Sequence, residues 1–211
     1  MTVQFYTTFS GGNQNPISPG AYTQLASHSA IQQISNSAQC TALTNCAVAV
    51  TTIVSPNDQY AIATVGGTWL NSAALNILLR CNPSADSFAA AKVSAGSTAA
   101  TLLYRTSPTA GSTMSGGNLT LSVAAAPGDT FEFHANGTLY TLLHTPVSTG
   151  VQYTVGDTND SNNTAGSAGF NLTTYTNITD VSIVAFTVGN FNAIGGTPGD
   201  NLGGNLQGGF Q

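Results

Sequence analysis

The one glutamate of this 211-residue chain, Glu132, stands two residues before His134. Both lie in PGDTFEFHANGTLYTLLH, residues 127–144, which also ends on His144 and so holds two of the three histidines. A carboxylate beside an imidazole is the simplest general acid–base couple. Spaced i, i+2, the two are same-face neighbours on a strand, but no third group in the sequence orients them. Glycoside hydrolysis needs two carboxylates across one cleft. The segment TFEFHA has no second acid, and Asp129 falls at a turn. A Ser-His-Asp hydrolase would show a G-x-S-x-G elbow after a strand, and none is present. The expectation is a protein that is not an enzyme and uses no cofactor.

Metal and ligand chemistry leave a few candidates. DTNDSNNTAGSA starts like a calcium loop, with oxygens at Asp157, Asn159 and Ser161. It lacks the glycine of the sixth position (Asn162) and the glutamate of the twelfth (Ala168), so the better reading is a solvated turn, with Asp157 and Asp160 as weak metal candidates. CTALTNC is C-x5-C, which is not zinc spacing. Cys40 and Cys46 either flank a tight hairpin and form a disulfide or remain buried thiols. The single tryptophan, Trp69 in GGTWLNS, is the candidate aromatic platform for a neutral sugar, with Asn71 as a hydrogen-bonding neighbour. The alternative is that Trp69 is buried.

These residues must be carried by something, and composition says what. The chain has three basic and eight acidic residues, far below the usual charge density. Ser, Thr, Asn, Ala and Gly stand where Lys and Glu normally sit, which favours strands and turns. Short strand-like runs recur between turn residues: QFYTTFS, AIQQIS, CAVAVTTIV, QYAIATV ending at Gly66-Gly67, ALNILLRC, SFAAAKVSA, AATLLYRT, NLTLSVA, VQYTV, AGFNLTT and DVSIVAFTV. This is the pattern of an all-β sandwich or jelly roll. Arg80, Lys92 and Arg105 are isolated and the net charge is −5, so nucleic acid is excluded as a partner. No apolar run is long enough to span a membrane as a helix. The opening MTVQFYTTFSGG has no basic or long apolar region, so no signal peptide is expected and the chain is expected to fold in the cytoplasm.

Within FEFHANGTLYTLLH, Asn136-Gly137 predicts a type I′ turn. Phe133 then faces Tyr140 and Phe131 faces Leu142, so these four share an apolar face. Glu132, His134, Leu139 and Thr141 share the other, and His144 lies beyond the paired core.

The order of the segments resembles the concanavalin-like (LamG-like) jelly rolls of bacteriophage virion proteins and environmental bacterial proteins. TTFSGGNQNPIS is similar to the opening D-x-F-x-R-A-N-E-N-P-L-S, with Phe9, Asn13, Asn15, Pro16 and Ser18 in register. SPNDQYAIATV, LNILLRCNPSADSFAAAKV, GDTFEFHANGTLYTLL, AGSAGFNL and ITDVSIVAFTVGN follow in the family's order. Thr7 and SGG replace the opening acid and Arg-Ala, and the closing Asp-Asp-Phe is reduced to Asp180-Val181 with a later Phe186. The resemblance implies an antiparallel β-sandwich over residues 1–189, used for glycan binding or virion surface display. Glycosidases of such folds carry E-x-D-x-x-E on one strand, which Glu132 does not match.

Residues 190–211 are Gly- and Asn-rich with sparse Phe191, Ile194, Leu202, Leu206 and Phe210. Such a segment cannot fold alone, so it is expected to be an arm held by a neighbouring subunit. The leading expectation is a structural protein of a phage virion surface (capsid decoration, head fibre or tail fibre), made in the host cytoplasm and assembled as a homo-oligomer with other virion proteins. A carbohydrate-binding host-adhesion module recognising a cell-surface glycan is the alternative, and a subunit of an extracellular filament is a third.

Overall fold

The computed structural model of the chain describes residues 2–17, 20–51 and 58–190. Fifteen strands order it: β1 (Thr2–Thr7), β2 (Tyr22–Gln24), β3 (Ile31–Ile34), β4 (Ser37–Cys40), β5 (Asn45–Val50), β6 (Asp58–Trp69), β7 (Ala74–Asn82), β8 (Ser87–Ser94), β9 (Ala99–Ser107), β10 (Ala110–Thr120), β11 (Thr130–Asn136), β12 (Leu139–Thr145), β13 (Tyr153–Asn159), β14 (Ser167–Thr173) and β15 (Val181–Asn190). They form two antiparallel sheets. An eight-stranded sheet runs β13-β12-β11-β6-β15-β4-β3, with β1 also paired to β15. A seven-stranded sheet runs β10-β9-β8-β7-β14-β5-β2. Residues 191–211, the expected arm with Phe191, Ile194, Leu202, Leu206 and Phe210, lie outside the described residues.

Side-chain alternation makes the sandwich. Along β11, Phe131, Phe133 and Ala135 enter the core between the sheets. Phe170 of β14 sits at its centre, with the rings of Phe9, Tyr22 and Phe186 at 5.0–6.2 Å in edge-on contact. Each such pair adds about 0.5–1.5 kcal/mol to the burial itself.

The hairpin departs from its expected register. Asn136 pairs with Leu139, Ala135 with Tyr140, Phe133 with Leu142 and Phe131 with His144. The loop is therefore Gly137-Thr138, and of the two only Gly137 has positive φ (56°), the pattern of a II′ turn. The cause is tertiary. The Asp58 carboxylate on neighbouring β6 accepts the Gly137 N–H at 2.9 Å, and Arg80 donates to the Gly137 carbonyl. The predicted apolar face survives, because the shift preserves side-chain parity. His144, however, moves from beyond the pairing into the core, where it is fully buried. The I′ geometry occurs instead at Ser35 and Asn36 (φ 50° and 62°), which fold AIQQIS and its continuation into the β3–β4 hairpin.

Three further features shape the layers. β6 continues through Gly66-Gly67, which was expected to end it. β15 crosses so closely there that a Cβ on Gly66 would lie 2.2 Å from Ser182 Oγ. Cys40 and Cys46 form a disulfide with Cα atoms 5.5 Å apart. They flank no hairpin: β4 belongs to one sheet and β5 to the other, so the bond joins the two layers. Arg80 sits at an irregularity in the β7–β8 pairing with φ 53°, which turns its side chain between the sheets. Its guanidinium lies 5.0 Å from the Tyr140 ring centre and donates to Tyr140 Oη (2.8 Å) and to the Asn163 carbonyl (3.0 Å). Burial pushes the Tyr140 hydroxyl pKa up, against the opposing pull of Arg80.

Candidate functional site

The two faces of β14 differ in kind. Ala168, Phe170 and Leu172 enter the core, so alternation turns Gly169, Asn171 and Thr173 outward. Asn171 stands opposite Asn76 on β7, Asn76 opposite Lys92 on β8, and Lys92 opposite Thr101 on β9. A polar row thus crosses four strands on the outer face of the seven-stranded sheet. Asn76 Nδ2 donates to Asn171 Oδ1 at 2.7 Å, and Thr173 Oγ1 donates to Asn45 Oδ1 on β5 at 2.6 Å.

Part of this outer face is sealed. Leu25 packs there with Ala47, Ala49, Leu78, Cys81, Phe88 and Ala90 in a second small apolar cluster. The rest forms a cleft of about 590 Å³ lined by Asn45, Asn76, Lys92, Asn171, Thr173 and Tyr175, within the size range of small-ligand sites. Residues 108–113 of the β9–β10 hairpin, His28 and Arg105 also line it. Tyr175 is 58% exposed. Below the cleft, Arg105 Nη2 pairs with the buried Asp86 at 2.8 Å, and His28 Nδ1 lies 3.3 Å from the same carboxylate. Burial holds the His28 imidazole below its ordinary pKa. Asp86 pulls it back up, and Arg105 pushes it down.

The residues singled out from sequence are placed elsewhere. Trp69 is 3% exposed, donates its indole N–H to the Ala73 carbonyl at 2.8 Å, and meets the Phe131 ring edge-on. Its ring offers no face to a ligand. Asn71 holds a turn at φ 53°, and its amide donates to Asp180 Oδ1 at 3.0 Å. Asp157 lies exposed on β13 opposite Thr141, whereas Asp160 accepts from the Asn162 backbone and amide to close a turn. Among the described residues, no three His, Cys, Asp or Glu side chains gather in a group able to hold a metal.

Glu132 and His134 do touch, Oε1 to Nε2, on the outer face of the eight-stranded sheet. A third group orients them after all. Gln152 Nε2, from the segment between β12 and β13, donates to Glu132 Oε2 at 3.0 Å. His144 has its own partners. Its Nε2 donates to Asp129 Oδ2 (2.8 Å), and Tyr153 Oη lies 2.6 Å from Nδ1. Asp129 also accepts the backbone N–H groups of Ala126 (2.9 Å) and Val147 (2.8 Å). His144 stacks inside on Phe131, whose ring centre is 4.3 Å away, whereas Glu132 faces out. The sheet therefore separates Asp129 from Glu132, although the two are only three residues apart in sequence.

Sequence reasoning missed Asn76, Lys92, Asn171 and Tyr175. The first three each interrupt an apolar strand at its outward phase (LNILL, AAKVS, FNLTT), which is the signal that could have found them. Tyr175 stands in the polar turn TTYTN.

No protein-family model matches the sequence, and no curated protein sequence matches it. The fold does have known counterparts. The described strands form a concanavalin-like jelly roll. The chain is similar to carbohydrate-binding module CBM66 from Bacillus subtilis (TM-score 0.58, 14% identity, covering 81% of this chain and 92% of that one). It is similar to the exoplasmic/lumenal domain of VIP36 in a Ca2+/Man2-bound form (TM-score 0.56, 11% identity, 90% and 88%). It is also similar to a Bacillus licheniformis β-glucanase (TM-score 0.53, 8% identity, 89% and 98%). At these identities the likeness is one of fold.

Proposed function

We propose that the chain is a non-catalytic carbohydrate-binding domain whose ligand lies in the cleft on the outer face of the seven-stranded sheet. The observation that carries this is the set of groups lining that cleft. Asn45, Asn76, Asn171 and Thr173 supply amides and a hydroxyl to match sugar hydroxyls, and exposed Tyr175 supplies an aromatic face for sugar C–H groups. Fold neighbours that are named as a carbohydrate-binding module and as a mannose-bound domain support the reading. Hydrolysis would need two carboxylates, and no Asp or Glu lines the cleft among the described residues. The virion-surface role, with its homo-oligomer, drew in part on the arm outside the described residues, and none of the three neighbours above is named as a virion protein.

A glycan array tests the proposal. Binding is expected, and Tyr175→Ala is expected to weaken it by about threefold to tenfold, the worth of one ring contact. Trp69→Phe should leave affinity unchanged. An array silent across neutral and acidic glycans refutes the reading, as does binding that Tyr175→Ala and Asn76→Ala both leave intact.

A further inference from the structure

The placement of positive charge in this chain is uneven. There are three basic and eight acidic residues. Arg80 is sunk between the sheets among carbonyls and the Tyr140 hydroxyl. The other two, Lys92 and Arg105, both line the cleft, and among the described residues no acidic side chain does. Arg105 is answered by Asp86. Lys92 has no hydrogen-bond or ion-pair partner among the described residues. It is half-buried in the middle of the polar row, between Asn76 and Thr101. An ammonium set in the middle of a neutral polar row presents a full positive charge to whatever occupies the cleft. The rest of the row is filled by neutral amides and a hydroxyl.

We infer that the ligand of this cleft is an anionic saccharide, its carboxylate or sulfate group held by Lys92 while the neighbouring amides take its hydroxyls. This rests on the reading of the cleft as a sugar site and adds the charge class of the sugar. A carboxylate or sulfate oxygen beside Lys92 makes a charge-assisted hydrogen bond, about twice as strong as a neutral one. A neutral sugar would leave the ammonium unmatched. The two acid classes share this chemistry, and the experiment separates them.

Calorimetric titration of the full chain with polygalacturonate (carboxylate), ι-carrageenan (sulfate ester), laminarin and dextran (both neutral) is the test. At least one acidic polysaccharide is expected to bind about tenfold tighter than the neutral pair, and which one binds identifies the acid. Lys92→Gln should lose about tenfold on that polymer, while Lys92→Arg keeps most of the affinity. Circular dichroism confirms that both variants are folded. Equal binding of neutral and acidic polymers, indifferent to Lys92→Gln, overturns the inference and leaves the sugar site standing. Acidic binding that neither Lys92→Gln nor Tyr175→Ala weakens lies elsewhere on the protein and overturns it too. Failure of all four polymers to bind overturns the inference, while the sugar site itself is refuted only by a silent glycan array.

Discussion

Asp129→Ala, in the turn that leads into β11, is expected to be among the most damaging single changes at a polar residue. The Asp129 carboxylate takes three hydrogen bonds, from the backbone of Ala126 and Val147 and from His144. Removing it strands all three donors. The two backbone donors sit at half-buried Ala126 and exposed Val147, where water replaces much of what is lost, at about 1 kcal/mol each. The His144 side chain is fully buried against Phe131, so its donor costs about 2–3 kcal/mol. The total is about 4–5 kcal/mol, or roughly 10–15 °C in Tm for a chain of this size. Urea unfolding followed by Trp69 fluorescence measures it, since Trp69 packs on the Phe131 ring that His144 stacks upon. Asp129→Asn keeps an acceptor for the backbone and should cost about half as much. His144→Phe preserves the stack, so the double variant Asp129→Ala/His144→Phe should be more stable than the sum of the singles predicts by about 1–2 kcal/mol. A loss below about 1 kcal/mol in Asp129→Ala, or a strictly additive cycle, would refute the reasoning.

Three other outcomes are expected. Gly137→Val should cost about 1–2 kcal/mol, because only Gly137 needs positive φ, while Asn136→Val should change unfolding midpoints little. The reverse order would restore the I′ register. Replacing Cys40 and Cys46 by alanine should lower stability by about 2 kcal/mol, the worth of closing so short a loop, and a reducing agent should do the same to the native chain and nothing further to the variant. Burial alone would raise the pKa of Asp180, but hydrogen bonds from Asn177, Asn71 and Thr176 outweigh it and hold the carboxyl below its ordinary value. With the folded value below the unfolded one, its stabilisation is complete above about pH 4 and is lost as pH falls through the folded value. Asp180→Asn should flatten stability against pH in that acidic window, and an unchanged slope refutes the assignment.

The layers were legible because alternation is local. Phe131, Phe133, Tyr140 and Leu142 share a face under either register of their hairpin, so the apolar layer was predicted even though the turn was displaced by one residue. The displacement was not legible. Asp58 and Arg80, which hold Gly137, are about 79 and 57 residues away in sequence. Gln152 was missed for the same reason, since it reaches Glu132 across 20 residues. The cleft was half-legible. Each strand shows its polar interruption, but the row exists only once β14 is known to lie between β5 and β7, an order that no local pattern states. Trp69 drew attention as the one large amphipathic ring, yet the end of β6 turns it inward, while Tyr175 was left outside by a turn.

The polar row has a consequence for how recognition and folding are tied. Asn171, Asn76 and Lys92 come from three strands and meet only because β14, β7 and β8 pair as they do. The same pairings send Phe170, Ile77 and Ala91 to the other side. A slip of one residue in β7 would carry Asn76 into the apolar interior and bring Leu75 or Ile77 out to the cleft. Recognition surface and core are therefore the obverse and reverse of a single alignment, and the sequence could not have drifted in one without rewriting the other.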